Sequence, residues 1–261
     1  MRERIVLLAR ESSATAILYH ALVKDFDPAG TGQVVRVVYE EPPTKWRLLR
    51  SRAKRLGAGT VIGQVLFQLF VAKPLSARSS ARKAEILQQA GASDAAIPNT
   101  VITRSGSVND PATWELVRSL APRAVVINGT RILSQHTITA LGVPILNTHV
   151  GITPMYRGVH GAYWALVQDD RAHCGVTVHH VDAGVDTGYI LHQTVIQPTA
   201  ADNFSTYPTL QMVSGSKLMV KAVREVIDGT AIPRKPEGKD RRWEIPTLWQ
   251  YLRNRSRSGV R

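Results

Sequence analysis

The stretches ILNTHVGITPMYRG (residues 145–158) and GVTVHHVDAGVDTG (residues 175–188) decide how this chain folds and what it can do. The first begins with a short apolar run that ends in the polar residues Asn147 and His149. The second begins with a strand-like run that ends in a turn rich in Gly and Asp. We interpret both runs as strands of one sheet. Because ligands bind at the carboxyl ends of strands in open α/β sheets, we expect a site there.

Three residues of this region carry groups suited to acyl transfer. Asn147 and His149 are two positions apart, so both point to the same face of an extended segment. The amide can donate to a developing oxyanion, and the imidazole can move a proton near neutral pH. Asp186 lies in a glycine-flanked turn that can bring a carboxylate back over them. Spacing alone leaves the alternative open that all three are ordinary turn and capping residues.

Four motifs of this region match a known family in order and spacing. They are Asn147-Thr148-His149, the loop Pro154–Gly158, the strand Gly175–His179 and the turn Asp182–Gly188. In these motifs the chain resembles the formyltransferases that use 10-formyltetrahydrofolate, such as the glycinamide ribonucleotide, methionyl-tRNA and sugar N-formyltransferases. The resemblance implies an α/β fold with a mostly parallel, Rossmann-like sheet and helices on both faces.

The resemblance also implies roles for individual residues. It implies a catalytic triad of Asn147, His149 and Asp186, and it implies no metal. It places 10-formyltetrahydrofolate, the formyl donor, beside Arg131, Ile132, Leu133, Val181, Asp182, Ala183, Gly184 and Val185. The loop residues expected to bind the substrate are Tyr156, Arg157 and Gly158. Because no Ser or Cys is placed as a nucleophile, we expect direct attack by a substrate amine rather than a covalent acyl-enzyme.

Strand and helix patterns alternate along the rest of the chain. The apolar run Ile5–Ala9 predicts a first buried strand, and a helix follows from about Ser12 to about Lys24. Further strands are predicted at residues 33–39, 100–103, 124–128 and 190–196, and further helices at 111–120, 134–141, 159–168 and 203–227. We expect residues 1–229 to form a catalytic domain, because such alternation is typical of a parallel sheet covered by helices.

Residues 41–90 interrupt the alternation, and their pattern predicts one or two inserted helices. A basic segment with apolar residues between the charges comes first, and an apolar segment with Gln64, Gln68 and three glycines follows. Its uninterrupted apolar length falls short of a membrane span. We expect the apolar helix to pack on the main sheet, with the arginines as a solvated face. A substrate lid, a dimer contact and an interfacial membrane helix stay open as alternatives.

Residues 230–261 form a short basic C-terminal extension. Trp243 and residues 249–252 predict a short helix that docks on the domain, with frayed residues from Asn254 onward. The formal net charge of +13 favours anionic partners. Methionyl-tRNA formyltransferases carry a C-terminal domain that is larger than the segment after the predicted long helix in this chain. This difference weighs against tRNA as the acceptor. The single cysteine, Cys174, excludes an internal disulfide framework and fits a reducing, cytoplasmic location.

These features favour an N-formyltransferase whose acceptor is a small, anionic amine, in particular an amino sugar on a nucleotide. Glycinamide ribonucleotide is disfavoured because the turn after the first strand lacks glycine and carries Glu11 where a phosphate cradle would be needed. Three alternatives stay open: methionyl-tRNA or glycinamide ribonucleotide as acceptor, hydrolysis of the formylfolate, and a non-catalytic basic module that binds nucleic acid or a membrane. Homo-oligomer formation and contact with a membrane surface also stay open.

Overall fold

The computed structural model describes residues 4–32, 35–42, 44–182 and 184–261. The strands in these residues are β1 (Ile5–Ala9), β2 (Val35–Glu40), β3 (Ile102–Ser105), β4 (Ala124–Asn128), β5 (Ile145–His149), β6 (Arg157–Gly158), β7 (Gly175–His180), β8 (Ile190–Val195) and β9 (Arg242–Trp243). Seven of them form one sheet in the order β3-β2-β1-β4-β5-β7-β8, and β6 pairs with β9 in a small second sheet. Gln33 and Val34, at the predicted start of the second strand, lie outside the described residues.

The main sheet is parallel from β3 to β5. Strand β7 pairs antiparallel with β5, and β8 pairs antiparallel with β7. This confirms the predicted α/β fold with a mostly parallel sheet. Every residue of β1 is buried, as is every residue of β4. Such continuous apolar strands are stable where helices cover both faces of a sheet.

Helices cover both faces of the sheet. The helices in the described residues are α1 (Ser13–Phe26), α2 (Lys45–Leu56), α3 (Ala58–Phe67), α4 (Lys73–Arg78), α5 (Ser80–Ala90), α6 (Pro111–Ser119), α7 (Gln135–Leu141), α8 (Gly161–Val167), α9 (Tyr207–Asp228) and α10 (Leu248–Ser258). Alternate residues of β1 lie in two separate cores. Ile5 and Leu7 pack with α1 and α9, whereas Val6 and Leu8 pack with α6 and α7. The period of two along a strand produces this division.

The insertion differs from its prediction. Its described residues form four helices, α2 to α5, where one or two were predicted, and a π-helical turn, Gln68–Ala72, joins α3 to α4. The continuous run Ala58–Arg78 is long and apolar enough, by length and composition, to cross a membrane. The expectation that the apolar helix packs on the main sheet is wrong: Phe67 packs in a third core with Phe204 and Tyr251. The faces of the sheet are already covered by other helices, so the inserted apolar helix packs elsewhere.

The C-terminal extension is ordered further than its sequence indicates. Helix α10 starts with a capping box between Thr247 and Gln250 and continues to Ser258. The expectation of frayed residues from Asn254 is wrong, because the Asn254 amide donates to the Tyr163 hydroxyl at 3.1 Å. Strand β9 of the extension pairs in parallel with β6, which lies in the loop after β5. The extension therefore supports the loop that follows β5.

We expect the close approach of α9 to the sheet to depend on Gly215. A Cβ atom at this position would lie 2.6 Å from a methyl of Thr148 and 2.9 Å from a methyl of Val176. Gly215→Ala should therefore lower the free energy of unfolding by about 1–3 kcal/mol, despite the better helix propensity of alanine. Denaturant unfolding measures the change.

Gly59→Ala provides the matched control for Gly215→Ala. Gly59 lies in α3, and a Cβ atom there would meet open space. This variant should be neutral or more stable by up to about 1 kcal/mol. Equal effects of the two substitutions would contradict the packing argument.

Candidate functional site

A cleft of about 490 Å³ opens at the carboxyl ends of β4 and β5. Residues from both of these strand ends, from the loop after β7 and from the start of α1 line it. The lining includes Ser12, Asn128, Gly129, Thr130, Arg131, Ile132, Leu133, Asn147, His149, Gly158, His179, Val181, Asp182, Gly184, Val185 and Asp186. The cleft thus lies where ligands bind in open α/β sheets. Ala183 falls outside the described residues.

The antiparallel pairing of β5 with β7 brings polar side chains together. Asn147 pairs with His179, and His149 pairs with Thr177. All four side chains therefore project from one face of the paired strands. The Thr177 hydroxyl donates to the Gly151 carbonyl at 2.8 Å and accepts from the Thr153 N–H at 3.1 Å. These bonds hold the loop after β5 beside the paired strands.

The Asp186 carboxylate lies at the centre of this group. Its Oδ2 atom is 3.3 Å from His149 Nδ1 and accepts from the Gly158 N–H at 3.2 Å. Its Oδ1 atom is 3.4 Å from Asn147 Nδ2 and 3.8 Å from His179 Nε2. Asp186 has a left-handed backbone, with φ at +54°, a conformation that Asp tolerates better than most residues. The structure therefore brings the three sequence-predicted catalytic residues together around one carboxylate.

The surroundings of Asp186 favour its charged form. Burial opposes ionisation, but His149 when it is protonated, the ring of His179 and the Gly158 N–H together hold the pKa of this carboxyl well below its usual range. Asp186 is therefore ionised at neutral pH. A buried carboxylate costs free energy unless it is hydrogen-bonded, and the Gly158 N–H and the Asn147 amide both donate to this one.

His149 is held by its two ring nitrogens. Its Nε2 atom lies 2.7 Å from the Tyr156 carbonyl oxygen, so this nitrogen carries the proton and donates. Burial lowers the pKa of His149, against the Asp186 carboxylate and the Tyr156 carbonyl, which raise it. The ring is therefore neutral at neutral pH, with Nδ1 unprotonated beside Asp186. A proton that reached Nδ1 would immediately find a carboxylate acceptor.

His179 is a site residue that sequence reasoning did not assign. Its Nδ1 atom donates to the His180 carbonyl at 2.7 Å, which leaves Nε2 as an acceptor. The Asn147 amide donates to that Nε2 at 3.2 Å. His179 thereby fixes which end of the Asn147 amide faces Asp186. The sequence contained a signal for this role, because Thr177 and His179 are two positions apart in residues 175–188 and so lie on the same face of their strand.

The segment Arg131–Leu133 lines the cleft, but its arginine side chain points to another partner. The Arg131 guanidinium donates to Glu40 Oε1 at 2.9 Å, and the Arg131 backbone N–H donates to Oε2 at 2.9 Å. Arg10 and the Val108 N–H also contact this buried carboxylate. Glu40, which sequence reasoning missed, therefore fixes the segment that the resemblance assigns to folate. Ile132 and the backbone remain to face a ligand.

Of the three loop residues Tyr156, Arg157 and Gly158, two have side chains that bond to or pack on other parts of the protein, and Gly158 lines the cleft. The structure does not place the Tyr156 side chain in the cleft: its hydroxyl donates to Asp170 at 2.8 Å and its ring stacks on Trp243. Aromatic packing and the hydroxyl bond turn this side chain away from the cleft, and its role in binding the substrate stays a prediction. Arg157 also does not line the cleft, and of the three predicted residues Gly158 does.

The turn after β7 is shaped by its own side chains and by Arg157. The Asp182 carboxylate accepts from the Gly184 N–H at 3.0 Å and from the Thr187 hydroxyl at 2.7 Å. The Arg157 guanidinium donates to the Val185 carbonyl at 2.7 Å. These bonds place the turn opposite Arg131–Leu133, so the two segments assigned to folate line one cleft.

Metal ligands do not cluster in the described part of the chain: no group of three or more His, Cys, Asp or Glu side chains there could hold a metal ion. The site instead offers hydrogen-bond donors, a carboxylate and two imidazoles. Such groups can bind a carbonyl oxygen, stabilise an oxyanion and move a proton.

Comparison with known proteins identifies the relatives of this chain. The family model described as "Formyl transferase" matches residues 67–223. A methionyl-tRNA formyltransferase from Solibacter usitatus is 31% identical over 131 residues, which cover 50% of this chain and 42% of the relative. The match thus spans less than half of that relative.

Two solved structures share the fold. One is an N-formyltransferase from Helicobacter canadensis in complex with folinic acid and dTDP-3-aminofucose, with a TM-score of 0.56, 13% identity, and coverage of 92% of this chain and 70% of that one. The other is glycinamide ribonucleotide transformylase 1 from Symbiobacterium toebii, with a TM-score of 0.55, 18% identity, and coverage of 90% and 95%. At these identities the likeness shows the fold alone.

We expect Asp186→Asn to lower stability in a pH-dependent way. The folded-state pKa of Asp186 lies below the unfolded value, so the carboxylate stabilises the fold above about pH 4 and this contribution is lost as the pH falls further. At pH 7 the variant should lose about 1–3 kcal/mol in the free energy of unfolding. Denaturant unfolding at a series of pH values measures both proteins.

The difference between the two proteins should shrink as the solution is acidified below about pH 4. Asp228→Asn, at the exposed end of α9, serves as the control and should leave the pH dependence unchanged. A difference between Asp186→Asn and the parent that stays constant down to acid pH would contradict the assignment of Asp186 as a stabilised carboxylate.

Proposed function

The chain belongs to the formyl transferase family, and on that premise we propose that it transfers a formyl group from 10-formyltetrahydrofolate to a primary amine. The observation that carries this proposal is the grouping of Asn147, His149 and Asp186 at one end of the cleft. An amide donor, an imidazole and a carboxylate within hydrogen-bond reach of one another are the groups that amine attack on a formyl carbon requires.

The folate donor occupies the cleft between Arg131–Leu133 and the turn Val181–Asp186. Both segments present backbone groups and small or apolar side chains, which suit a flat heteroaromatic ring edged with donors and acceptors. The ion pair of Arg131 with Glu40 and the self-capped turn around Asp182 make both walls rigid. The folinic acid bound by the structural relative from Helicobacter canadensis supports this class of donor.

The Asn147 amide stabilises the oxyanion that forms when the amine attacks. Its Nδ2 atom makes two long contacts, 3.2 Å to His179 and 3.4 Å to Asp186. One of these weak bonds can be exchanged for a stronger bond to a charged oxygen as the transition state develops. This donation differs between ground state and transition state, as catalysis requires.

The proton released by the attacking amine passes to His149 Nδ1. This nitrogen is unprotonated in the resting site and lies 3.3 Å from Asp186 Oδ2. Burial keeps the ring neutral until the proton arrives, and the carboxylate then stabilises the imidazolium. His149 can later return the proton to the departing folate nitrogen, so no net proton is gained by the enzyme.

The acceptor in this proposal is an amino sugar carried on a nucleotide. The net charge of +13 favours an anionic acceptor, and the structural relative solved with dTDP-3-aminofucose supports a sugar nucleotide.

A second acceptor, methionyl-tRNA, is favoured by one specific observation. The sequence relative from Solibacter usitatus, which is 31% identical over 131 residues, is a methionyl-tRNA formyltransferase. The family model covers residues 67–223, which include Asn147, His149 and Asp186, so family membership bears on the chemistry more than on the acceptor.

A screen of acceptors tests the proposed function. The protein is mixed with 10-formyltetrahydrofolate and, in separate reactions, an amino-sugar nucleotide, methionyl-tRNA, glycinamide ribonucleotide or buffer, and release of tetrahydrofolate is followed. We expect turnover with an amino-sugar nucleotide well above the buffer reaction. Faster turnover with methionyl-tRNA would replace the acceptor assignment, and equal rates with and without any amine would indicate a hydrolase.

Substitution of the three site residues tests the mechanism. Asn147→Ala should lower kcat roughly 100- to 1,000-fold, as for other oxyanion donors. His149→Ala and Asp186→Ala should be similarly damaged, and the double and triple variants should lose less than the product of the single losses, because the residues act on one transition state. Single-turnover kinetics measure the chemical step.

The matched control is His192→Ala. His192 pairs with Glu225 at 2.7 Å on β8, away from the lining of the cleft. Its kcat should stay within about twofold of the parent value, because the side chain touches no reacting atom. Near-normal formyl transfer by Asp186→Ala would refute the proposed triad.

A further inference from the structure

The inserted helices present an exposed apolar face to solvent. We define the insertion face as the outward side chains of Trp46, Leu49, Ile62, Val65, Leu69 and Phe70. Trp46 is 74% exposed, Phe70 67% and Ile62 57%, which is far from the burial expected of large apolar residues in a helical hairpin. Between α2 and α3, four of these residues, Trp46, Leu49, Ile62 and Val65, line an apolar groove of about 440 Å³. A contiguous surface of this kind marks an interaction site.

The opposite side of α3 is fully engaged with the rest of the protein. The Gln64 side chain donates to the Ile245 carbonyl at 2.8 Å and accepts from Arg52 at 2.7 Å. A Cβ atom at Gly63 would meet the Trp249 ring, so the glycine permits a close approach to α10. Phe67 is completely buried. The helix is therefore anchored on one side, and its apolar outer side is a permanent part of the surface.

The charge around the insertion face is mostly positive. The sequence contains no Asp or Glu between Glu41 and Glu85, and this interval carries ten Lys and Arg residues. The chain after Glu244 is also free of acidic residues and adds four arginines. The two segments adjoin in the structure, where Arg55 pairs with Glu244 at 2.6 Å and Trp249 packs on α3. The two basic clusters of the sequence thus form one cationic rim beside the apolar face.

We propose that the insertion face binds the surface of a membrane that contains anionic lipids. Trp46 and Phe70 would enter the boundary between headgroups and acyl chains, and Arg50 and Lys54, both exposed, would contact the anionic headgroups. The face lies along the membrane and does not cross it, because the inner side of α3 stays packed on α10 and on the aromatic core around Phe67. The proposal concerns where the protein works and does not depend on the identity of its acceptor.

A second copy of the chain fits the face less well. A symmetric contact would place two cationic rims against each other, and the described residues that line the groove include no carboxylate to compensate them. Like charges at an interface cost free energy, whereas a negative surface potential attracts each basic side chain. Charge complementarity therefore selects an anionic bilayer over self-association.

Vesicle binding by the full chain tests this proposal. The partition coefficient is measured by co-sedimentation with vesicles of phosphatidylcholine alone and of phosphatidylcholine with one quarter phosphatidylglycerol. We expect binding to the anionic vesicles, weakened as salt is raised from about 0.1 M to about 1 M, because the headgroup attraction is screened. Ile62→Ser combined with Phe70→Ser should weaken binding at least about tenfold through lost apolar insertion.

Two further variants separate the contribution of the cationic side chains from that of apolar exposure in general. Arg50→Gln combined with Lys54→Gln should remove most of the preference for anionic vesicles and leave unfolding curves unchanged, because both side chains are exposed. Ile232→Ser is the control, since Ile232 is 86% exposed but lies outside the insertion face, and it should bind like the parent. Equal binding to both vesicle types, or full binding by the Ile62→Ser, Phe70→Ser variant, would overturn the proposal. Self-association in solution that this variant abolishes, with no vesicle binding, would assign the face to a second copy instead.

Discussion

The buried carboxylate of Asp186 is the interaction on which the site depends. This carboxylate is charged and largely buried, so several neighbouring groups must stabilise its charge at once. Its partners come from three separate segments: Asn147 and His149 on β5, His179 on β7, and the Gly158 N–H on β6. Satisfying one charge therefore fixes the relative positions of two strands and two loops, and it preorganises the donors that would face a reacting carbonyl.

Support for this arrangement comes from the end of the chain. Strand β9 pairs with β6, the Trp243 indole donates to the Met155 carbonyl, and Arg157 bonds both Asp240 and the Val185 carbonyl. The loop that supplies the Gly158 N–H is thus held between the sheet and the C-terminal extension. The same extension packs on the inserted helices through Trp249 and Tyr251. The loop that contains Gly158 and the exposed insertion face consequently share one supporting core.

That shared core explains how an apolar helix can remain at the surface. The sheet buries its two faces under α1 and α9 on one side and α6 and α7 on the other, so little apolar sheet surface is left for the insertion. The inserted helices are held through Phe67 of α3, which packs on Phe204 and on Tyr251 of α10 in the shared aromatic core. One side of α3 is sufficient for this packing, and the other side becomes available to a partner.

The sequence by itself determined the features that depend on local periodicity and on short motifs. Continuous apolar runs gave the strands β1 and β4, Ser134 marked the start of α7, and the two-residue spacing put Asn147 and His149 on one face. Tertiary structure alone decided the features that depend on partners distant in sequence. Glu40 took the Arg131 side chain, Trp243 and Asp170 turned Tyr156 away from the cleft, and His179 met the Asn147 amide across a strand pair. The physical reason is that periodicity fixes which way a side chain points from its own element. The partner it meets depends on which buried surfaces and charges the rest of the fold has already satisfied.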